Sequence, residues 1–196
     1  MAIAIGHFWV IDVEGSGSKP PEIVELAMLE VEHMALSGNK RHWLVRPERG
    51  ILPAATRIHG LTEDDVLDSP SIEDISDDIL QWIEDTPIVG HNVRVEVDIL
   101  SRSIPDWSPP AAIDTLILAK TLRPGLPSYG LANLGAELDL AENATKLSGR
   151  AHHSALYDAT LTALILINLL SPLTSQEREV ALKDANILDP KQGSFL

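Results

Sequence analysis

The sequence predicts an α/β fold, a mixed sheet flanked by helices, on three observations. Apolar runs of strand length crowd the first 46 residues. Helical patterning takes over from Pro53 onward. Short apolar runs near Pro87 to Gly90 and Ala111 to Ile113 alternate with those helices. Strands first and strand–helix alternation later give a sheet with both faces available for helices.

Each element has a local reason. Phe8-Trp9-Val10-Ile11-Asp12-Val13-Glu14 is a strand that ends in acids, and Gly15-Ser16-Gly17-Ser18-Lys19-Pro20-Pro21 after it is a loop. Glu22 to Val31 reads as a second strand. Ser37-Gly38-Asn39-Lys40 supplies hairpin chemistry before a third strand at Arg41 to Arg46, so the start is three antiparallel strands. Thr62 is an N-cap followed by Glu63, Asp64 and Asp65, where acids suit the helix dipole. Ser71 opens an amphipathic helix with Ile72, Ile75, Ile79, Leu80 and Ile83 on one face. Further helices are expected at Val93 to Ser103, Thr115 to Leu122, Tyr129 to Leu138, Ala155 to Leu170 and Ser175 to Ala185. The proline-rich pieces Pro105 to Pro110 and Pro124 to Pro127 connect them.

The 196 residues suit one domain, expected over 1–172, with a C-terminal helix and tail over 173–196. The absence of cysteine excludes disulfides, thiolate metal sites and cysteine nucleophiles. Met1 to Ile5 is apolar but lacks a basic leader, and Ala163 to Leu170 is too short to span a bilayer, so a cytoplasmic protein without a membrane partner is expected. The formal charge of −14, from 29 acidic and 15 basic side chains, opposes a broad electrostatic grip on duplex nucleic acid. A polyanionic partner must be held locally.

Three distant segments carry the chemistry: Asp12-Val13-Glu14, Gly90-His91-Asn92-Val93-Arg94-Val95-Glu96 and His153-Ser154-Ala155-Leu156-Tyr157-Asp158. Strand alternation points Asp12 and Glu14 to one face. Asp12, Glu14, Asp158 and either Glu96 or Asp98 could converge on two divalent cations about 3.5 to 4 Å apart, the arrangement of two-metal phosphoryl displacement. Ligand oxygens alone favour Mg²⁺ or Mn²⁺ over Zn²⁺. Ser154 is an N-cap candidate that puts Asp158 in the opening turn of its helix and leaves His153 in the loop before it. An imidazole there can take a proton from an attacking water. Neither a phosphate-binding Gly-x₄-Gly-Lys-Ser/Thr nor a Gly-x-Ser-x-Gly elbow is present.

Jointly, in this order and spacing, Asp-x-Glu, the His-Asn segment and His-x₄-Asp resemble the DEDDh-type 3′–5′ exonucleases, the group that contains the epsilon subunit of bacterial DNA polymerase III. Ile58-His59-Gly60-Leu61-Thr62, Ile113-Asp114-Thr115-Leu116 and Tyr129-Gly130-Leu131-Ala132-Asn133-Leu134 agree with it, over about Trp9 to Leu170. The tyrosine variant of the superfamily would need tyrosine where Ser154 stands. The resemblance implies an RNase H-like, five-stranded mixed sheet flanked by helices, with Asp12 on the central strand. It also implies a metal-dependent 3′–5′ exonuclease acting on single-stranded or frayed ends, DNA ahead of RNA. Asp12, Glu14, Glu96 and Asp158 would hold two Mg²⁺ or Mn²⁺ ions, His153 would be the base, and Gly15, Ser16 and His59 would border the terminal nucleotide. Backbone N–H groups of the Gly15-Ser16-Gly17 loop would meet its sugar, and Ile58 or Leu61 would pack on a base.

The second motif departs from the family pattern. Its acid is normally aspartate, and the slot here holds Glu96; Asp98 lies roughly 200° round the helix and is the reserve. One methylene displaces the carboxylate by about 1.5 Å. Two alternatives to a stand-alone enzyme follow: a polymerase-associated subunit, and a catalytically impaired nucleic-acid-binding module.

Overall fold

The structure is a computed structural model that describes residues 6–189; Met1 to Ile5 and the segment from Pro190 onward lie outside them. Three strands come first: β1 (His7–Gly15), β2 (Ile23–Glu32) and β3 (Ala35–Leu44). Helices α1 (Pro53–His59), α2 (Glu63–Val66) and α3 (Ile72–Ile83) follow. Next are β4 (Ile88–Gly90), α4 (Arg94–Ser103), β5 (Ala112–Asp114) and α5 (Thr115–Leu122). The chain continues through α6 (Leu131–Glu137), α7 (Ala141–Ser148), α8 (Ala155–Leu170) and α9 (Ser175–Asp184).

The five strands form one RNase H-like sheet in the order β3-β2-β1-β4-β5. β1 pairs antiparallel with β2 and parallel with β4, so the central strand is where the chain reverses its direction of travel across the sheet. Alternation along β1 divides the core. Phe8 and Val10 face a cluster built by Val89, Ile113 and helices α5 to α9, while Trp9 and Ile11 face Ile79, Ile83, Leu100 and Ile104 of α3 and α4. Helix α8 is buried almost throughout because it lies between the sheet and α5, α6 and α7. Gly135 of α6 makes that layer possible, since a Cβ there would come within 2.7 Å of Leu161.

The start is indeed three antiparallel strands, but the hairpin turn is not at Ser37 to Lys40. The chain reverses at His33 and Met34, both left-handed with φ of 50° and 62°. Ser37, Gly38 and Asn39 belong to β3, where the pairing skips between Leu29 and Val31. Their polar character serves a bulge: Ser37 Oγ and Asn39 Nδ2 donate to Glu30 Oε2 at 2.6 and 2.7 Å. The turn carries no glycine or asparagine; burial of Met34 offsets the cost of its φ.

Within the stretch expected as a helix and tail, residues 173–189 pack against the rest of the chain. Ala181, Leu182 and Ala185 join the α8-side core, the Ile187 N–H donates to Ala112 O, and Asn186 Oδ1 accepts from the Ala112 N–H. They cover the β5 edge. Among the described residues no helix is long and apolar enough to cross a membrane.

Candidate active site at the carboxyl end of the central strand

Strand alternation carries Asp12 and Glu14 onto the Phe8 and Val10 side of β1, facing the opening turn of α8. That turn begins as its cap residue dictates: Ser154 is extended, its Oγ accepts from the Tyr157 N–H, and Asp158 lies one turn in. Oxygens of Asp12, Glu14 and Asp158 all lie within 4.8 Å of one another.

Glu96 reaches the same place from the other layer. Gly90 lets the chain pass tightly from β4 into α4, since a Cβ there would come within 2.9 Å of Val93. Asn92 adopts φ of 67°, and its N–H donates to Asp114 Oδ1. Glu96 is buried in the first turn of α4, with Oε2 unpartnered, whereas Asp98 is exposed. Of the two acids left open by sequence, Glu96 is the one turned inward.

The electrostatics follow from crowding. Burial raises the carboxyl of Asp12 well above its ordinary value, helped by Glu96, Asp158, Glu14 and Glu25. Burial, then the charges of Asp158 and Glu25, push Glu14 up to about 8. Burial with Asp114 and Glu14 nearby pushes Glu96 up to about 8. Asp158 is also raised by burial, opposed by its bond to His152 and by His153. Four inward acids whose charges oppose one another, one with an orphaned oxygen, fit a divalent cation with oxygen ligands.

The auxiliary motifs form a scaffold behind this centre. Burial lowers the pKa of His91. Its Nε2–H donates to the Tyr129 carbonyl at 2.8 Å, and Nδ1 lies 2.9 Å from the Thr115 hydroxyl, whose proton goes to the Gly90 carbonyl at 3.1 Å. Asp114 accepts from Asn92 and Leu116 N–H groups, so the β4–α4 and β5–α5 turns are tied together.

His153 is exposed with φ of 66°, in the loop before α8. His59 lies beside it: Nδ1 accepts from the Leu61 N–H, Nε2 is buried and unpartnered, and burial lowers its pKa against the opposing effect of the Gly15 backbone. Ser16 anchors the loop expected to border the terminal nucleotide. It is fully buried, its N–H donates to Glu22 O, and its Oγ accepts from the Glu22 N–H, so it staples the loop. Of the two candidates for stacking on a base, Ile58 is exposed, while Leu61 packs with Val24, Ile51, Ala55 and Val66.

Two residues escaped the sequence reading. His152 Nδ1–H donates to Asp158 Oδ1 at 2.7 Å, and its ring stacks on His153 at 3.8 Å. The doubled His-His was its only signal. Glu25, paired across the strands with Glu14, is buried; it accepts from the Ala155 N–H at 2.9 Å and from His42 Nε2–H at 2.7 Å. An acid inside the otherwise apolar run Ile23 to Leu29 was its signal.

The family model described as Exonuclease matches residues 9–166. The epsilon subunit of DNA polymerase III from Rickettsia felis is 30% identical over 171 residues, 82% of this chain and 72% of that protein. Its counterpart from Escherichia coli is 27% identical over 190 residues, 89% and 76% of the two chains. Among solved structures, exonuclease X in complex with 5′-overhanging duplex DNA is 31% identical with a TM-score of 0.67, covering 89% of this chain and 99% of that one. The nuclease domain of 3′hExo, a DEDDh family member bound to rAMP, has a TM-score of 0.70 at 16% identity, over 87% and 95%. This chain belongs to the exonuclease family, and is a nuclease.

Proposed function

We propose that the protein removes nucleotides one at a time from the 3′ end of single-stranded or frayed nucleic acid, DNA ahead of RNA. The observation that carries the reading is the convergence of Asp12, Glu14 and Asp158 oxygens within 4.8 Å, with the buried Glu96 carboxylate, its Oε2 unpartnered, close enough to raise Asp12, and exposed His153 at the rim. Asp12, Glu14, Glu96 and Asp158 would hold two Mg²⁺ or Mn²⁺ ions. Such ions supply charge neutralisation on the phosphodiester and make water more acidic.

The chain's own residues do the rest. His153 takes the proton of the water that attacks phosphorus; the bond to the 3′-oxygen of the preceding nucleotide breaks, and that oxygen takes a proton from solvent. A nucleoside 5′-monophosphate leaves. Exposed Ile58 offers an apolar surface to the terminal base, and the half-buried ring of His59 lies next to it in sequence. The preference for DNA rests on the DNA polymerase subunits and the DNA-bound exonuclease X among the relatives.

Oligonucleotides of DNA and RNA labelled at either end, incubated with Mg²⁺ or Mn²⁺, test this. Shortening from the 3′ end, faster on DNA and abolished by Asp12→Ala, is expected. Shortening from the 5′ end, or a rate unaffected by that substitution, overturns the reading. Partnership with a polymerase is a second reading, motivated by the epsilon relatives. Co-purification with a polymerase tests it.

A further inference from the structure

The rim of the acidic centre carries nitrogen ligands that a site for Mg²⁺ or Mn²⁺ does not need. Nδ1 or Nε2 of His152 and of His153 and an oxygen of Asp158 all lie within 4.8 Å of one another, and Asp158 is also one of the three convergent acids. Two ligand sets of different softness therefore share one carboxylate. His152 lies outside the His-x₄-Asp motif, and both imidazoles are exposed and stacked at 3.8 Å, whereas Asp158 is buried and fixed on α8.

We propose that His152, His153 and Asp158 form a trap for Zn²⁺ that switches the nuclease off. Two imidazoles and one carboxylate leave a fourth tetrahedral position for water, the usual form of an open zinc site. Nitrogen donors favour Zn²⁺ over Mg²⁺ and Mn²⁺, so the trap is selective where the all-oxygen centre is not. On binding, the His152 Nδ1 proton that now points at Asp158 moves to Nε2 of the same ring, and the freed lone pair takes the metal. A bound ion ties up His153 and draws on Asp158. Inhibition thus rests on the proposed role of His153, whereas zinc binding does not.

A second cluster, His7 with Glu30 and Glu32, is a natural control. Both Glu30 oxygens already accept, from His7, Ser37 and Asn39, so it has less to offer a cation.

The test combines binding with turnover. Zinc affinity is measured by competition with a chromophoric chelator in the wild type, in the Asp12→Ala/Glu14→Ala double variant, and in that variant with His152→Asn added. Mn²⁺-supported degradation is then titrated with Zn²⁺ in the wild type, His152→Asn and His7→Asn, each scaled to its own zinc-free rate. The double variant is expected to retain one zinc. Loss of even an outer partner of a metal ligand costs about 10- to 100-fold in affinity. Removing a direct ligand should therefore weaken binding at least about tenfold and raise the half-inhibitory zinc concentration similarly. A double variant that cannot compete with the chelator, a His152→Asn change without effect, or a half-inhibitory zinc concentration raised as much by His7→Asn overturns the proposal. Chelator competition decides the trap even if no nuclease activity is found, a result that would count against the proposed function instead.

Discussion

Glu96 carries opposing demands on one side chain. Its carboxylate is buried, lacks a hydrogen-bond partner at Oε2 and is pushed up to about 8, so it disfavours the metal-free fold at alkaline pH while supplying charge to the centre. Glu96→Gln keeps the shape and removes that charge. Cleavage is expected to fall at least about 10- to 100-fold, since even the loss of an outer partner of a metal ligand costs that much. The metal-free variant should nevertheless melt higher than the wild type at pH 8.5, as calorimetry would show; a parallel loss of both would contradict the account. His153→Ala should lower kcat by about 10²- to 10⁴-fold, the usual worth of a general base, with oligonucleotide binding retained. The convergent acids were legible because strand alternation and a helix cap fix where they point. His152 and Glu25 were not, because their roles depend on contacts between segments distant in sequence.

Between elements, Glu25 joins the sheet to α8 at the turn that presents Asp158, by accepting the Ala155 N–H. Glu25→Ala leaves that buried donor without its charged acceptor and should cost about 1.5–3 kcal/mol by denaturant titration. A change within error would mean that the turn is held by Ser154 alone. Gly135→Ala tests the contact of α6 with α8: the added methyl meets Leu161 in a fully buried layer, and overpacking of that kind costs about 1–3 kcal/mol. Helices with a full apolar stripe and a cap were legible, and the ranges expected for α5 and α8 match those observed. Helix α7 was missed because it buries only Ala144 and Ser148, too few to mark a period. The β2–β3 turn was misplaced for a related reason. His33 and Met34 are not turn formers, while Ser37, Gly38 and Asn39 carry turn chemistry at a bulge.

For the molecule as a whole, the crowded carboxylates couple metal binding to protonation and to stability. Glu14 and Glu96 are pushed from 4.5 up to about 8, and Asp12 and Asp158 are raised too. Between those limits the metal-free folded protein holds protons that the unfolded chain has released, so its stability declines as pH rises from 4.5 toward 8. Glu22 and Glu30, whose pKa values are lowered, act below that window, whereas the lowered His59 and His91 oppose the trend only below their ordinary value of 6.5, so the decline is clearest above it. A cation must displace the held protons. At pH 7, calorimetric titration with Mn²⁺ in buffers of different ionisation heat should therefore show proton release, and apparent affinity should climb from pH 6 to 8. Melting temperatures of chelator-stripped protein should drop over the same range, and saturating Mn²⁺ should flatten or reverse that slope, because the occupied site prefers its acids ionised. A buffer-independent binding heat would mean that the acids are already ionised without metal and that the site is more open to water than its packing indicates.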